Sequence, residues 1–128
     1  MKRLIWMSVL ALGLGGCALT PDSVDAPFDQ RVTIAADLAR DLLVTDVRCA
    51  RGPGGNLSFQ ANVVNQTVRD LGLEWRVAWL DADGLEIESV VSTWRKVMVA
   101  PQDIAMLVNT ASTPNAVDMR FYVRRLRR

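Results

Sequence analysis

Leu73-Glu74-Trp75-Arg76-Val77-Ala78-Trp79-Leu80, followed by Asp81-Ala82-Asp83-Gly84, is the stretch on which the fold turns. Leu73, Trp75, Val77 and Trp79 alternate with Glu74, Arg76 and Ala78, the period of two that turns one face of a strand toward a core. Leu73, Val77 and Leu80 also fall at helical spacing. The turn signal at 81–84, with Leu85, Ile87, Val90 and Val91 beyond it, favours strands joined by a hairpin. Two tryptophans on one strand face bring burial of roughly 150–250 Å² each, so the Trp75/Val77/Trp79 face is expected to form the core.

The neighbouring segments repeat this period. Residues 44–50 form a strand candidate closed by Arg51-Gly52-Pro53-Gly54-Gly55-Asn56, the strongest turn signal in the chain. On it Thr45, Val47 and Cys49 are expected to share a face. Leu57, Phe59, Ala61 and Val63 alternate with Ser58, Gln60 and Asn62 as a half-buried strand. Residues 65–72 and 110–115 read as loops. Residues 92–99 and 104–109 are strands across the turn at 100–103, and Val117, Met119, Phe121 and Val123 form the inward side of a last strand. Upstream, residues 32–34 suit a short edge strand and 37–43 one or two helical turns. About seven short strands with regular turn signals describe an all-β sandwich over 31–128.

The first thirty residues differ in kind. Lys2 and Arg3 precede an apolar run at 4–14, and Leu14-Gly15-Gly16 leads into Cys17. The run is too short to cross a bilayer comfortably. It resembles a bacterial lipoprotein signal peptide at 1–16. That resemblance implies diacylglyceryl attachment to the Cys17 sulfur, cleavage before it and N-acylation with a fatty acid such as palmitate. With Ala18 rather than Asp next, it implies an outer-membrane anchor facing the periplasm. Residues 17–30, with Pro21 and Pro27 and three aspartates, then read as the lipidated terminus and its tether.

Lys2 and Arg3 belong to the segment removed, which leaves 13 of the 15 basic residues against 14 acidic ones. Near-neutral charge argues against a nucleic-acid partner. Cys49 is left unpaired, and burial as a small hydrophobe is the expected explanation. There is no histidine, which removes the usual general base and zinc ligand. Ser23, Ser58, Ser89, Ser92 and Ser112 have no candidate base, and Lys96 stands outside any Ser-x-x-Lys pattern. The carboxylate pairs Asp81/Asp83 and Glu86/Glu88 lie on or beside a turn, where solvation is expected. Asp81-Ala82-Asp83-Gly84 lacks the later ligands of a calcium loop. Met106 and Met119 are expected inside, with Met98 the third methionine weighed as a copper ligand and set aside. Neither catalysis nor a cofactor is expected.

Asn65, the run 71–84, Trp94 and Thr113-Pro114-Asn115-Ala116-Val117-Asp118-Met119-Arg120-Phe121 together resemble the YcfL-like family of periplasmic lipoproteins. The likeness spans about residues 32–126, and the Arg-rich end departs from it. It implies an immunoglobulin-like sandwich on a lipid tether, in the company of cell-wall-synthesis lipoproteins, with no known activity. The leading expectation is a non-catalytic envelope lipoprotein that binds a protein partner. Its candidate contacts are Gln60 and Asn62 on the exposed side of their strand. The alternative is a binder of peptidoglycan fragments or lipopolysaccharide. Arg120, Arg124, Arg125, Arg127 and Arg128 would serve it, a third of the basic residues within nine positions.

Overall fold

The computed structural model describes residues 30–127. The signal peptide, Cys17, all of the tether before Gln30 and Arg128 lie outside them. Seven strands follow in order: β1 (Val32–Ile34), β2 (Leu42–Arg51), β3 (Leu57–Asn65), β4 (Leu71–Leu80), β5 (Arg95–Val99), β6 (Ile104–Thr110) and β7 (Asp118–Arg125). They form a four-stranded sheet in the order β1-β7-β4-β5 and a three-stranded sheet in the order β2-β3-β6. The two sheets make the all-β sandwich expected. All pairs are antiparallel except β1 with β7.

Alternation builds the core, because successive side chains of a strand point to opposite faces. On β3, Leu57, Phe59, Ala61 and Val63 are buried; on β7, Met119, Phe121 and Val123 are buried. Phe59 stacks on Phe121 across the sheets with ring centroids 4.9 Å apart, and Trp75 leans on Phe121 at 6.3 Å. Trp79 sits deeper, and its Nε1 donates to Asn109 Oδ1 at 3.0 Å. The Trp75/Val77/Trp79 face is therefore core.

Several expectations need correcting. The segment at 37–43 holds a single 3-10 turn, Ala36–Leu38, that buries Leu38, and the chain is already extended at Leu42. After β4 the turn forms as expected: Asp81 Oδ1 accepts from the amides of Asp83 and Leu85, and Gly84 takes φ +81°. No second strand follows. One bridge joins Leu80 to Glu86, then the chain leaves the sheet and makes a 3-10 turn at Val90–Ser92 before β5. This excursion is held by Asn109 Nδ2 donating to the Val91 carbonyl at 2.7 Å.

On β2, Asp46 adopts φ +53° inside a bulge between Thr45 and Arg48. The extra residue shifts the alternation, so Cys49 pairs with inward Phe59 while Thr45 pairs with outward Asn62. Thr45 and Cys49 do not share a face. Met106 is 61% exposed, not inside, and Val117 is exposed just before β7. On β6 the inward positions are Leu107 and Asn109. Asn109 tolerates burial because the Trp79 indole and the Val91 carbonyl satisfy its amide.

Cys49 is buried, as expected for a small hydrophobe. Burial pushes its thiol up from 9.0 to about 11, with Arg31 pulling weakly the other way. At neutral pH an alkylating reagent should therefore label Cys49 only as fast as the protein opens. The unfolded chain sheds this proton first, so stability attributable to Cys49 is full below pH 9 and falls as pH climbs to about 11. Subtracting the urea-melt profile of Cys49→Ala from that of the wild type isolates the effect. A flat difference over that interval refutes it.

Candidate functional site

The arginines at the C-terminal end do not form one cluster. Alternation along β7 puts Arg120, Tyr122 and Arg124 on the outer face of the four-stranded sheet. Arg124 lies directly across from Glu74 in register, and its Nε donates to Glu74 Oε1 at 2.9 Å. Its guanidinium also covers the Trp94 ring at 3.7 Å, a cation–π contact. Arg76 is paired with Glu86 and lies 5.3 Å from the Tyr122 ring. Arg120 reaches Asp118 at 3.4 Å and the Met119 carbonyl at 3.0 Å.

Arg125 turns toward the end of the sandwich. It meets Asp41 at 2.9 Å and Asp37 at 3.2 Å, and donates to the Asp37 carbonyl at 2.8 Å. The hydrogen bond to Asp41, then that to Asp37, raises its pKa above the ordinary arginine value. Arg127 is exposed. Arg128 lies outside the described residues. Three of the five candidate arginines thus already face carboxylates, and an incoming anion must compete with those partners.

Arg125 also lines an open cleft of about 570 Å³ with Asp41, Arg69, Asp70 and Leu71. A smaller hollow of about 380 Å³ continues it past Gly72, Met98 and Leu126. The four charged groups at its rim balance, and nothing there pairs a nucleophile with a base. Among the described residues no three His, Cys, Asp or Glu side chains gather as a metal site would require. No helix among them is long and apolar enough to cross a membrane.

The outer face of the three-stranded sheet has a different character. Gln60 and Asn62 point outward from β3, as expected, and are half-buried. Asn62 Nδ2 donates to Asp46 Oδ2 at 3.1 Å. Across the β3–β6 ladder Gln60 faces Val108, Asn62 faces Met106 and Val64 faces Ile104. The two amides therefore border an apolar row, with Ile104, Met106 and Val108 exposed by 57%, 61% and 50%. Leu43, opposite Val64 on β2, extends it and is exposed by 44%.

β6 is also a sheet edge. Native edges are usually protected by shortness, charge, proline or a bulge. β1 has only three residues; β2 carries the Asp46 bulge; β5 opens with Arg95 and Lys96. The seven residues of β6 carry none of these devices, although Asp103 just before them holds the Ile104 amide on its carboxylate at 2.8 Å. Reading Met106 as inward hid this row, although residues 104–117 contain no charged residue, a signal available in the sequence.

Comparison with known proteins gives a family and a fold. The model of the family described as a protein of unknown function (DUF1425) matches residues 29–125. The crystal structure of Campylobacter jejuni cj0090 is similar at 21% identity with a TM-score of 0.64, over 75% of this chain and 98% of that one. The crystal structure of a DUF1425 family member from Shewanella sp. pv-4 is similar at 18% identity with a TM-score of 0.60, over 68% and 80%. At these identities the likeness is one of fold. No curated protein sequence matches.

Proposed function

The chain belongs to the DUF1425 family, and on that premise we propose that it is a YcfL-like lipoprotein that binds an envelope protein. In this reading Cys17 carries the acyl chains and the sandwich faces the periplasm from the outer membrane. The domain performs no catalysis and takes no cofactor. A partner involved in cell-wall synthesis follows from the family resemblance alone.

The observation that carries the reading is the neutral, proline-free β6 edge strand with its exposed apolar row beside Gln60 and Asn62. Exposed apolar rows rimmed by polar residues mark surfaces that other proteins cover. Unpaired edge strands offer main-chain groups to an added strand. The alternative, an anionic ligand held by Arg120, Arg124, Arg125, Arg127 and Arg128, is the weaker reading. Glu74, Asp118, Asp37 and Asp41 already occupy the forks of three of them.

Photo-crosslinking in the cell, from positions 60 and 62 of the full chain, tests the interaction. A reproducible protein adduct is the expected result. Adducts found only with glycan or lipid, and weakened steeply by moderate salt, would move the assignment to the alternative. Anchoring has its own test: Cys17→Ser is expected to block normal processing and remove the chain from the outer-membrane fraction, since stable anchoring needs the acyl chains. Normal processing with retention in the membrane pellet refutes it.

A further inference from the structure

We propose that the cleft between the β3–β4 loop and Arg125 binds a short free peptide, with Arg69 taking its carboxylate, Asp70 its ammonium and the hollow beside Gly72 an apolar side chain. The site stands apart from the β6 surface and does not depend on it.

Size and rigidity suit a small ligand. At about 570 Å³ the cleft falls within the roughly 300–1,000 Å³ of small-molecule sites. One wall is the loop at 66–70, largely exposed yet fixed from beneath. Buried Asn65 donates to the Arg69 carbonyl and accepts from the Thr67 amide and hydroxyl, and Gln102 Nε2 donates to the Thr67 carbonyl at 3.0 Å. The other wall is Arg125, clamped between Asp37 and Asp41. Gln66 N donates to the Asp41 carbonyl at 2.9 Å and joins the two walls. A site held in this way loses little freedom when a ligand arrives.

Charge selects the class of ligand. Asp41 and Arg125 answer each other, whereas among the described residues neither Arg69 nor Asp70 has an ion pair. Both are exposed and line the cleft. A simple anion drawn to Arg69 would also face Asp70 and Asp41, and a simple cation drawn to Asp70 would face Arg69 and Arg125. A zwitterion satisfies both free charges and meets no net repulsion. Adjacent residues have Cα atoms ~3.8 Å apart, so one small molecule can reach both. The end of a long protein chain brings only one of the two charges.

The hollow supplies the apolar contact. Gly72 lies in the interior strand β4, between Met98 and Leu126, and a Cβ there would meet Leu126 at 3.1 Å and Met98 at 3.4 Å. Glycine weakens a strand and often marks a close approach to its backbone. Its φ here is not left-handed, so the residue provides space and no turn. Met98 is 60% exposed, an apolar side chain the core does not use. Asp70 lines both cleft and hollow, so an ammonium held there leaves the neighbouring side chain beside Met98.

The test is calorimetric titration of the full, host-processed chain in detergent with leucyl-leucine. Saturable binding is expected, with the N-acetylated and C-amidated forms each about tenfold weaker, since each loses one charge-assisted contact. Diglycine, which leaves the hollow empty, should also bind more weakly. Arg69→Gln should abolish the penalty for amidation, and Asp70→Asn that for acetylation. Both residues are exposed, so both variants should melt with the wild type. Penalties that survive these substitutions overturn the site. An acetylated or amidated peptide that binds as tightly as the free one overturns the zwitterion. No saturable binding up to about 10 mM overturns the proposal outright. None of these results touches the crosslinks from positions 60 and 62, which test the separate interaction reading.

Discussion

Trp79→Ala should bring the sandwich close to the limit of its stability. The side chain is 1% exposed and fills the last inward position of β4. Truncating a buried tryptophan costs about 3–5 kcal/mol through lost burial and the cavity left behind. The change also strips Asn109 Oδ1 of its donor, and an orphaned buried acceptor adds about 1–3 kcal/mol. Against a total stability of about 5–15 kcal/mol the fold is near its limit. The melting temperature should fall by at least about 15 °C, given some 4–8 °C per kcal/mol for a domain of this size. Trp79→Phe separates the two causes, since it keeps a ring in the core and removes only the indole donor. A Trp79→Ala melt within a few degrees of wild type would falsify this account of the core.

Asn65 should be nearly as sensitive, although it is polar. It is 0% exposed at the end of β3. Its Nδ2 lies 2.6, 3.0 and 3.1 Å from the carbonyls of Arg69, Val99 and Ala100. Its Oδ1 accepts from the amide and hydroxyl of Thr67 at 2.8 and 2.7 Å. One side chain thus ties the β3–β4 loop to the end of β5, which belongs to the other sheet. Asn65→Ala leaves these groups without partners and should cost about 3 kcal/mol or more in a urea melt.

Asn65→Asp is the sharper probe. It sets an oxygen against three carbonyl oxygens, so the carboxyl is stable there only when protonated and its folded pKa must rise. The variant's stability is therefore highest at low pH and is lost as pH rises through the raised value. Melts at pH 4 and pH 7 should show a gap that Asn65→Ala lacks. Equal pH dependence in the two variants would sink the argument.

These two residues show which parts of the molecule local pattern discloses. The Trp75/Val77/Trp79 face, the β3 alternation and the inward side of β7 are written in a period of two, because each strand turns every second side chain into the core. Where one residue breaks the period, the reading fails with it. Asp46 inserts into β2 and reverses the side of Thr45 relative to Cys49. Asn109 holds an inward place on β6 through partners on β4 and in the excursion after it, so the more apolar face of that strand is the outer one. The arginines failed for another reason. Five cations in nine positions look free until Glu74, fifty residues earlier, and Asp37 and Asp41, more than eighty residues earlier, fold against them.

The parallel pairing of β1 with β7 has a mechanical consequence. Val32, Thr33 and Ile34 lie beside Phe121, Tyr122 and Val123, with the Arg31 carbonyl accepting from Phe121 N at 2.7 Å and Ala35 N donating to Val123 at 3.1 Å. A tug on the leading end of the chain, directed along the strand, would strain these bonds in shear and together instead of unzipping them one by one. The first and last strands of the sandwich form a clasp at the point where any leash to a surface would enter.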